Sequence, residues 1–303
     1  MRFRFSRQEA ALIGITVIWG ATFLIIQAAM QFSGPLFFVG LRFTSAGLLG
    51  AVLFRPALHR LTKTEWLACL SIGFGLFLGY GLQTWGLQSI ASSQSAFITA
   101  LYVPFVPLLQ WLIWQRLPTR RQAIGIILAF IGLMLLAGPE QGQISFSAGE
   151  WATLLGAVIM AAEIILIAYF APKVNIQRVT VMQLLLAGIL AFISMPFASE
   201  SIPKFSWVWV SAALGLGAAS CLIQLTMNWA QRKVDANRAT VIYASEPVWA
   251  GLFGRLAGER LPVLALVGAA LIVISVLSGE RRTGKTKAIN RFKNRTLSGK
   301  KRS

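Results

Sequence analysis

Apolar residues run in blocks of about 20 along almost the whole chain, and polar or charged residues are confined to the short gaps between them. Ten blocks can be marked: 9–30, 34–54, 66–88, 91–114, 121–138, 149–170, 178–198, 206–229, 236–256 and 261–279. At about 1.5 Å per residue, each block is long enough as a helix to cross a hydrocarbon layer about 30 Å thick. In lipid the backbone must satisfy its own hydrogen bonds, so the blocks are expected to be helices. The pattern also repeats itself. Arg116-Leu117-Pro118 stands shortly before Gly125 and an apolar run, as Arg260-Leu261-Pro262 stands shortly before Gly268 and another. In the preceding blocks Trp85 answers Trp229, and Pro104 or Pro107 answers Pro247. Five blocks per copy is an odd number, so the second copy enters the bilayer from the opposite side. The expected fold is an all-α integral membrane protein with ten transmembrane helices. They form two inverted five-helix repeats, over 1–138 and 139–280, followed by a tail over 281–303. Inverted repeats of this kind meet around a site near the bilayer midplane.

Composition agrees, with 56% hydrophobic and 13% charged residues. A net charge of +18 would point to nucleic acid in a soluble chain, but its distribution argues otherwise. With the amino terminus in the cytoplasm, 24 of the 28 Lys and Arg residues fall on cytoplasmic segments. Lys204, Arg255 and Arg260 fall outside, and Arg42 lies within a span. That is the positive-inside asymmetry, so both termini are expected in the cytoplasm, and the expected location is a bacterial inner membrane. The first block follows three arginines as a signal peptide would. It continues through Ile25 without a small-residue cleavage site, so an uncleaved first helix is expected. The tail beyond Gly279 carries ten basic residues against Glu280, which suits a disordered segment held near anionic lipid rather than nucleic acid. Cys69 and Cys221 both fall inside blocks, so neither a disulfide framework nor a metal site is indicated, and no cofactor motif is present.

Candidate chemistry lies where polar groups enter the blocks. Arg42, Glu163 and Glu246 are charged residues inside spans, and each costs at least about 2.5–3.5 kcal/mol at a helix centre. Two readings stand. In one, Arg42 forms a buried ion pair with one glutamate and the other glutamate is protonated. In the other, Glu246 and Glu163 couple solute movement to protons, since a carboxylic acid in low dielectric can bind and release a proton near neutral pH. Pro104, Pro107 and Pro247 interrupt matching spans, which points to a binding site there. Trp19, Tyr102, Tyr243 and Trp249 lie at similar depth, and aromatic rings beside a few polar groups suit an amphipathic small molecule. The expected substrate-binding set is therefore Trp19, Arg42, Tyr102, Tyr243, Glu246 and Trp249. The glycines of block three, with Gly75 and Gly79 one turn apart, are expected to let helices approach closely.

At these residues the chain resembles the EamA-type transporters of the drug/metabolite transporter superfamily. The resemblance rests on Trp19-Gly20, Arg42-Phe43, Glu246-Pro247 and Glu259-Arg260-Leu261 leading into Gly268, and it covers about residues 8–280. It implies a five-plus-five inverted repeat around a central cavity, with export or exchange of small metabolites. Gln115-Arg116-Leu117 departs from the Glu-Arg-Leu pattern in the first half, and Gln183 stands where the repeat would place a partner of Arg42.

The expected function is a secondary active transporter working by alternating access, a proton-coupled exporter of an amino-acid-like or drug-like solute. An uncoupled uniporter or exchanger is the alternative, and a non-transporting scaffold with a basic partner-binding tail is a third. Phosphorylated solutes usually call for several convergent cationic donors, and Arg42 is the one available within the spans. An enzyme is disfavoured, because His59 is the one histidine, it falls in a loop, and no phosphate-cradling motif follows a strand.

Overall fold

Helix starts are set by local chemistry. Ser6 with Glu9, Thr62 with Glu65, and Ser147 with Glu150 form reciprocal capping boxes that satisfy otherwise orphaned backbone donors. These boxes open α1 (Arg7–Ala29), α3 (Lys63–Gly86) and α7 (Ala148–Phe170). Pro35 begins α2 (Pro35–Leu53), where its missing N–H costs nothing. Asn175, Ser206 and Asp235 cap α8 (Ile176–Ser194), α9 (Trp207–Ala230) and α10 (Ala236–Tyr243). The remaining helices are α4 (Ser92–Thr99), α5 (Tyr102–Trp114), α6 (Arg120–Ala137), α11 (Glu246–Leu256) and α12 (Val263–Ser278). The computed structural model describes residues 6–55, 60–115, 117, 120–137, 139–140, 143–144, 146–260 and 262–278. Arg116, Pro118 and Leu261 of the repeated triplets, His59 and the 281–303 tail lie outside the described residues. Apart from a two-residue antiparallel ladder, Pro139–Glu140 with Gln143–Ile144, the described elements are helical.

Seven helical stretches are long and apolar enough to cross a membrane: Arg7–Ala29, Pro35–Leu53, Lys63–Gly86, Ser92–Trp114, Ala148–Lys173, Ile176–Ser194 and Trp207–Ala230. Ala123–Gly132 within α6 is a shorter apolar stretch. The chain is thus an all-helical integral membrane protein. Blocks 121–138, 236–256 and 261–279 are occupied by α6, by α10 with α11, and by α12.

Two blocks are broken near their middles. Between α4 and α5, Leu101 N–H donates to Ile98 O at 3.1 Å and Val103 N–H to Ala100 O at 3.0 Å, a tightened turn. Pro104 follows and can donate no backbone bond. Between α10 and α11, Ser245 N–H donates to Ile242 O at 3.2 Å, and Pro247 follows at the start of α11. Each proline relieves its missing bond by starting a new helix rather than bending an old one.

Helix lengths recur in order. α1 and α7 each have 23 residues, α2 and α8 each 19, α3 and α9 each 24, and α4 and α10 each eight. Contacts recur with the roles exchanged: α3 packs on α7 and α9 on α1, α2 on α9 and α8 on α3, while α2 meets α8 and α6 meets α12. Small residues permit this packing. A Cβ on Gly156 of α7 would lie 3.0 Å from Gly79 O of α3, tighter than an ordinary contact, so the missing side chain at Gly156 eases the close approach of these helices. Gly20 of α1 is more tightly constrained, since its Cβ would lie 2.7 Å from Trp249 Cβ and 2.9 Å from Glu246 O. That contact presses α1 against the break that begins α11.

Candidate functional site

The two helix breaks meet. Tyr102 is the first residue of α5 and Glu246 the first of α11, and the Tyr102 hydroxyl donates to Glu246 Oε2 at 3.0 Å. Trp19, from α1, stacks on Tyr102 with ring centroids 6.4 Å apart and planes 11° apart. Tyr243, the last residue of α10, meets the edge of Trp19 at 5.7 Å. Its hydroxyl accepts from Gln231 Nε2 at 3.0 Å. Four of the expected residues therefore come together, an aromatic cage of Trp19, Tyr102 and Tyr243 with the Glu246 carboxyl group against it. Trp249, one turn beyond Glu246, is half-buried, with Gly20 against its Cβ.

Arg42, in α2, is linked to this cage through Tyr80. Its Nε donates to Ser220 Oγ of α9 at 2.7 Å, and its guanidinium lies 5.3 Å from the Phe43 ring centre and 5.2 Å from that of Tyr80. The first of the two readings, a buried ion pair between Arg42 and a glutamate, does not occur. Aromatic faces stabilise the cation in place of a carboxylate, at a distance typical of a cation–π contact. Among the described residues the ion pairs fall instead at helix starts, between Arg178 and Glu65 at 3.4 Å and between Arg238 and Glu9 at 2.9 Å. Tyr80 was not singled out in the sequence, yet it joins the groups together. It lies within electrostatic reach of Arg42, Glu163 and Glu246, and its hydroxyl meets the Gln224 side chain.

Glu163, in α7, is outside the aromatic cage. Its Oε1 accepts from Gln224 Nε2 at 3.1 Å. Trp19, Arg42, Tyr102, Glu163, Tyr243 and Glu246 are all at most 3% exposed, so the site is closed on every side. Several of its polar atoms have no partner: Trp19 Nε1, Arg42 Nη1, Trp249 Nε1 and Glu246 Oε1. Buried polar groups are normally hydrogen-bonded, so these four atoms stand out. Three can donate, and one oxygen of a carboxyl group can accept.

Two clefts lie at opposite ends of the bundle. One, of about 420 Å³, is lined by Leu36, Phe77, Gly81, Trp85, Gln88 and Glu200 among others. The other, of about 480 Å³, is lined by residues including Asn175, Ile176, Gln177, Leu225, Trp229 and Arg232. Trp85 and Trp229 are each the twenty-third residue of their helices, so the clefts use equivalent positions of α3 and α9. At the first end, Glu259 spans from beyond α11 to the start of α4. It accepts the backbone N–H groups of Ser92 at 3.0 Å and Ser93 at 3.1 Å, and also both serine hydroxyls. Burial alone would raise the Glu259 carboxyl, but these four donors outweigh it and hold it below the ordinary carboxylate range.

The comparisons with known proteins agree with this architecture. An uncharacterized transporter of Archaeoglobus fulgidus is 28% identical over 273 residues, covering 89% of this chain and 84% of its own length. An S-adenosylmethionine/S-adenosylhomocysteine transporter of Chlamydia muridarum is 28% identical over 148 residues, covering 46% of this chain and 44% of its own. A solved crystal structure has the same fold, with a TM-score of 0.70 at 18% identity over 93% of this chain and 99% of that one. The model of the EamA-like transporter family matches twice, at residues 8–138 and 147–278. The chain belongs to the EamA-like transporter family and is a membrane transporter.

Proposed function

We propose that the protein is a proton-coupled secondary carrier, exporting a zwitterionic amphipathic solute by alternating access. Its two halves, 1–138 and 139–280, are inverted five-helix repeats that make ten spans, with both termini in the cytoplasm of a bacterial cell. Equal helix lengths, exchanged packing partners and a family model that matches twice support the repeat. The positive-inside distribution supports the orientation.

The observation that carries the solute class is the set of unpartnered buried atoms. Arg42 Nη1 supplies a cationic donor for a carboxylate, and Glu246 Oε1 supplies an acceptor for an ammonium or other cation. Trp19, Tyr102 and Tyr243 form the apolar wall, with Trp249 at its edge. A solute carrying both charges on an apolar body would satisfy every orphan. The similarity to a carrier named for S-adenosylmethionine, a zwitterion with an added cation and an aromatic base, is in keeping with that class.

Glu246 binds either the cationic end of the solute or a proton, and this competition couples the two fluxes. The closed site requires the bundle to open to each side in turn, and the two clefts mark where each opening starts. Proteoliposomes with a pH-sensitive dye inside, screened against amino acids, amphipathic cations and nucleosides, test the proposal. The expected result is proton movement driven by zwitterions and lost in Glu246→Gln, with solute counterflow retained. Wild-type coupling in Glu246→Gln would remove that residue from the role.

A further inference from the structure

Glu163 is held quite differently from the carboxyl group of the aromatic cage. Gln224 Nε2 donates to Glu163 Oε1 at 3.1 Å, and Gln183 Nε2 donates to Gln224 Oε1 at 2.9 Å. Asn228 Nδ2 reaches Gln183 Oε1 at 3.4 Å, and also donates to Thr180 Oγ1 at 3.1 Å and Gln224 O at 2.9 Å. All five residues are buried. Gln224 and Gln183 each turn an N–H towards Glu163 and the oxygen away, while Asn228, whose two hydrogens go to Gln224 O and Thr180 Oγ1, adds a weaker contact to the Gln183 oxygen. Their dipoles therefore add, and the series favours negative charge at the Glu163 end. Three buried amides also cost desolvation that apolar side chains of like volume would not, so close packing of α7, α8 and α9 does not call for them.

The ladder belongs to one half only. Gln183 and Arg42 are each the eighth residue of their helices, and Gln224 and Tyr80 each the eighteenth. Where the second half places two hydrogen-bonded amides, the first places a guanidinium on an aromatic ring. The groups near Glu163 that titrate or carry charge are Tyr80 from α3 and Tyr243 from α10. Arg42 from α2, Tyr102 from α5 and Glu246 from α11 are linked to it through Tyr80.

We propose that Gln224, Gln183 and Asn228 are positioning residues of a second proton-exchange site at Glu163, separate from the carboxyl group in the aromatic cage. The proposal deepens the proton-coupled reading above and rests on it. Glu163 alternates between the carboxylic acid and the carboxylate, taking its proton from water and returning it to water, and the aligned amides hold the carboxylate form. Removing a rung weakens that hold, so the acid form persists to higher pH, and the effect fades with distance along the ladder.

Dicyclohexylcarbodiimide, which modifies protonated carboxyl groups in apolar surroundings, reads this out on the purified full chain. Peptide mass spectrometry follows the adducts on Glu163 and Glu246 separately across pH. Gln224→Leu should move the Glu163 labelling midpoint up by about one pH unit, as loss of a hydrogen bond to a charged group predicts. Gln183→Leu touches no atom of Glu163, and should move it the same way by about 0.3 unit. The Glu246 midpoint should stay in place in both variants, which also reports an intact fold. If Gln183→Leu does not fold, Gln183→Met and Asn228→Leu read the same effect. A Glu163 midpoint unmoved by Gln183→Leu would overturn the ladder and leave one ordinary hydrogen bond. Labelling does not depend on transport, so an absence of solute counterflow in the wild type would sink the carrier reading separately.

Discussion

Tyr102→Phe removes a single oxygen from the aromatic cage and leaves the ring in place on Trp19. The lost hydroxyl is the donor to Glu246 Oε2 at 3.0 Å, and Glu246 Oε1 already lacks a partner. The variant therefore leaves a buried carboxyl group with no donor on either oxygen. A hydrogen bond to a charged group contributes about 1.5–3 kcal/mol, and one between neutral groups about 0.5–1.5 kcal/mol. The cost of the substitution thus depends on the charge of Glu246, rising where it is ionised. In a Glu246→Gln background the charged contribution is absent, so the double-mutant cycle should show a coupling of about 1 kcal/mol or more. Reversible unfolding of the four proteins by SDS titration in mixed micelles, at acid and alkaline pH, measures that coupling. It should be larger at the alkaline end, where the carboxylate form is favoured. A coupling below about 0.3 kcal/mol at every pH, within the scatter of independent sites, would refute the contact as the organising bond of the cage.

Two further substitutions test the neighbouring features. Arg42→Gln keeps a donor for Ser220 and removes the charge. Because no carboxylate pairs with Arg42, folded protein should be retained while solute affinity in counterflow falls about 10–100-fold. Wild-type affinity would show that the guanidinium does not touch solute. Glu259→Ala leaves the start of α4 without a cap, since Ala91 offers no side-chain acceptor, and should cost about 1–2 kcal/mol in the same SDS titration. The lowered Glu259 carboxyl contributes its stability above the ordinary carboxylate range and loses it as pH falls through its own lower value, so the acid limb of the stability profile should flatten in the variant. An unchanged acid limb would mean that the latch at α4 contributes nothing.

Much of this architecture was legible because lipid leaves few choices. The apolar blocks had to be helices, and their bounds follow from where polar residues resume. The aromatic and acidic residues at mid-depth were legible for the same reason, since nothing apolar calls for Glu246 or Tyr102 there. What the pattern does not carry is azimuth, the direction in which a side chain leaves its helix. One reading paired Arg42 with a glutamate, and it instead rests on Phe43 and Tyr80. Tyr80 was overlooked because it follows a run of glycines that reads as packing surface, although its place facing Gln224 makes it the hub of the charged groups. Gln183 was visible as an oddity opposite Arg42, but its link to Gln224 and Asn228 needs three helices in register, which block lengths cannot supply. The helix breaks were signalled by Pro104 and Pro247. That they meet, through Tyr102 and Glu246, is a matter of tertiary packing, in which Gly20 lets α1 lie close against the start of α11.

In the proposed arrangement a residue near the axis between the halves faces its own counterpart, and this limits which chemistry can sit there. Tyr102 and Glu246 occupy equivalent starts of α5 and α11, and they bond to each other. Tyr80 and Gln224 are equivalent positions, and they also meet. Had either pair remained identical, two carboxyl groups or two phenols would confront one another across the axis. Two buried carboxylates in that position would repel and could not both ionise. Divergence turns the same geometry into a donor and an acceptor. The charged groups also have unlike counterparts: Gln183 stands at the place in α8 that Arg42 holds in α2, and Thr22 at the place in α1 that Glu163 holds in α7. Even the cap at α4 is unlike its counterpart. Glu259 reaches that helix start, while the corresponding Gln115 turns back to Leu112 O and α10 is capped by its own Asp235. Duplication can supply two matching frameworks that rock against each other, but a solute with distinct ends needs a site that is not symmetric. In the proposed carrier, the unlike pairs across the axis would make one solute orientation better than its reverse.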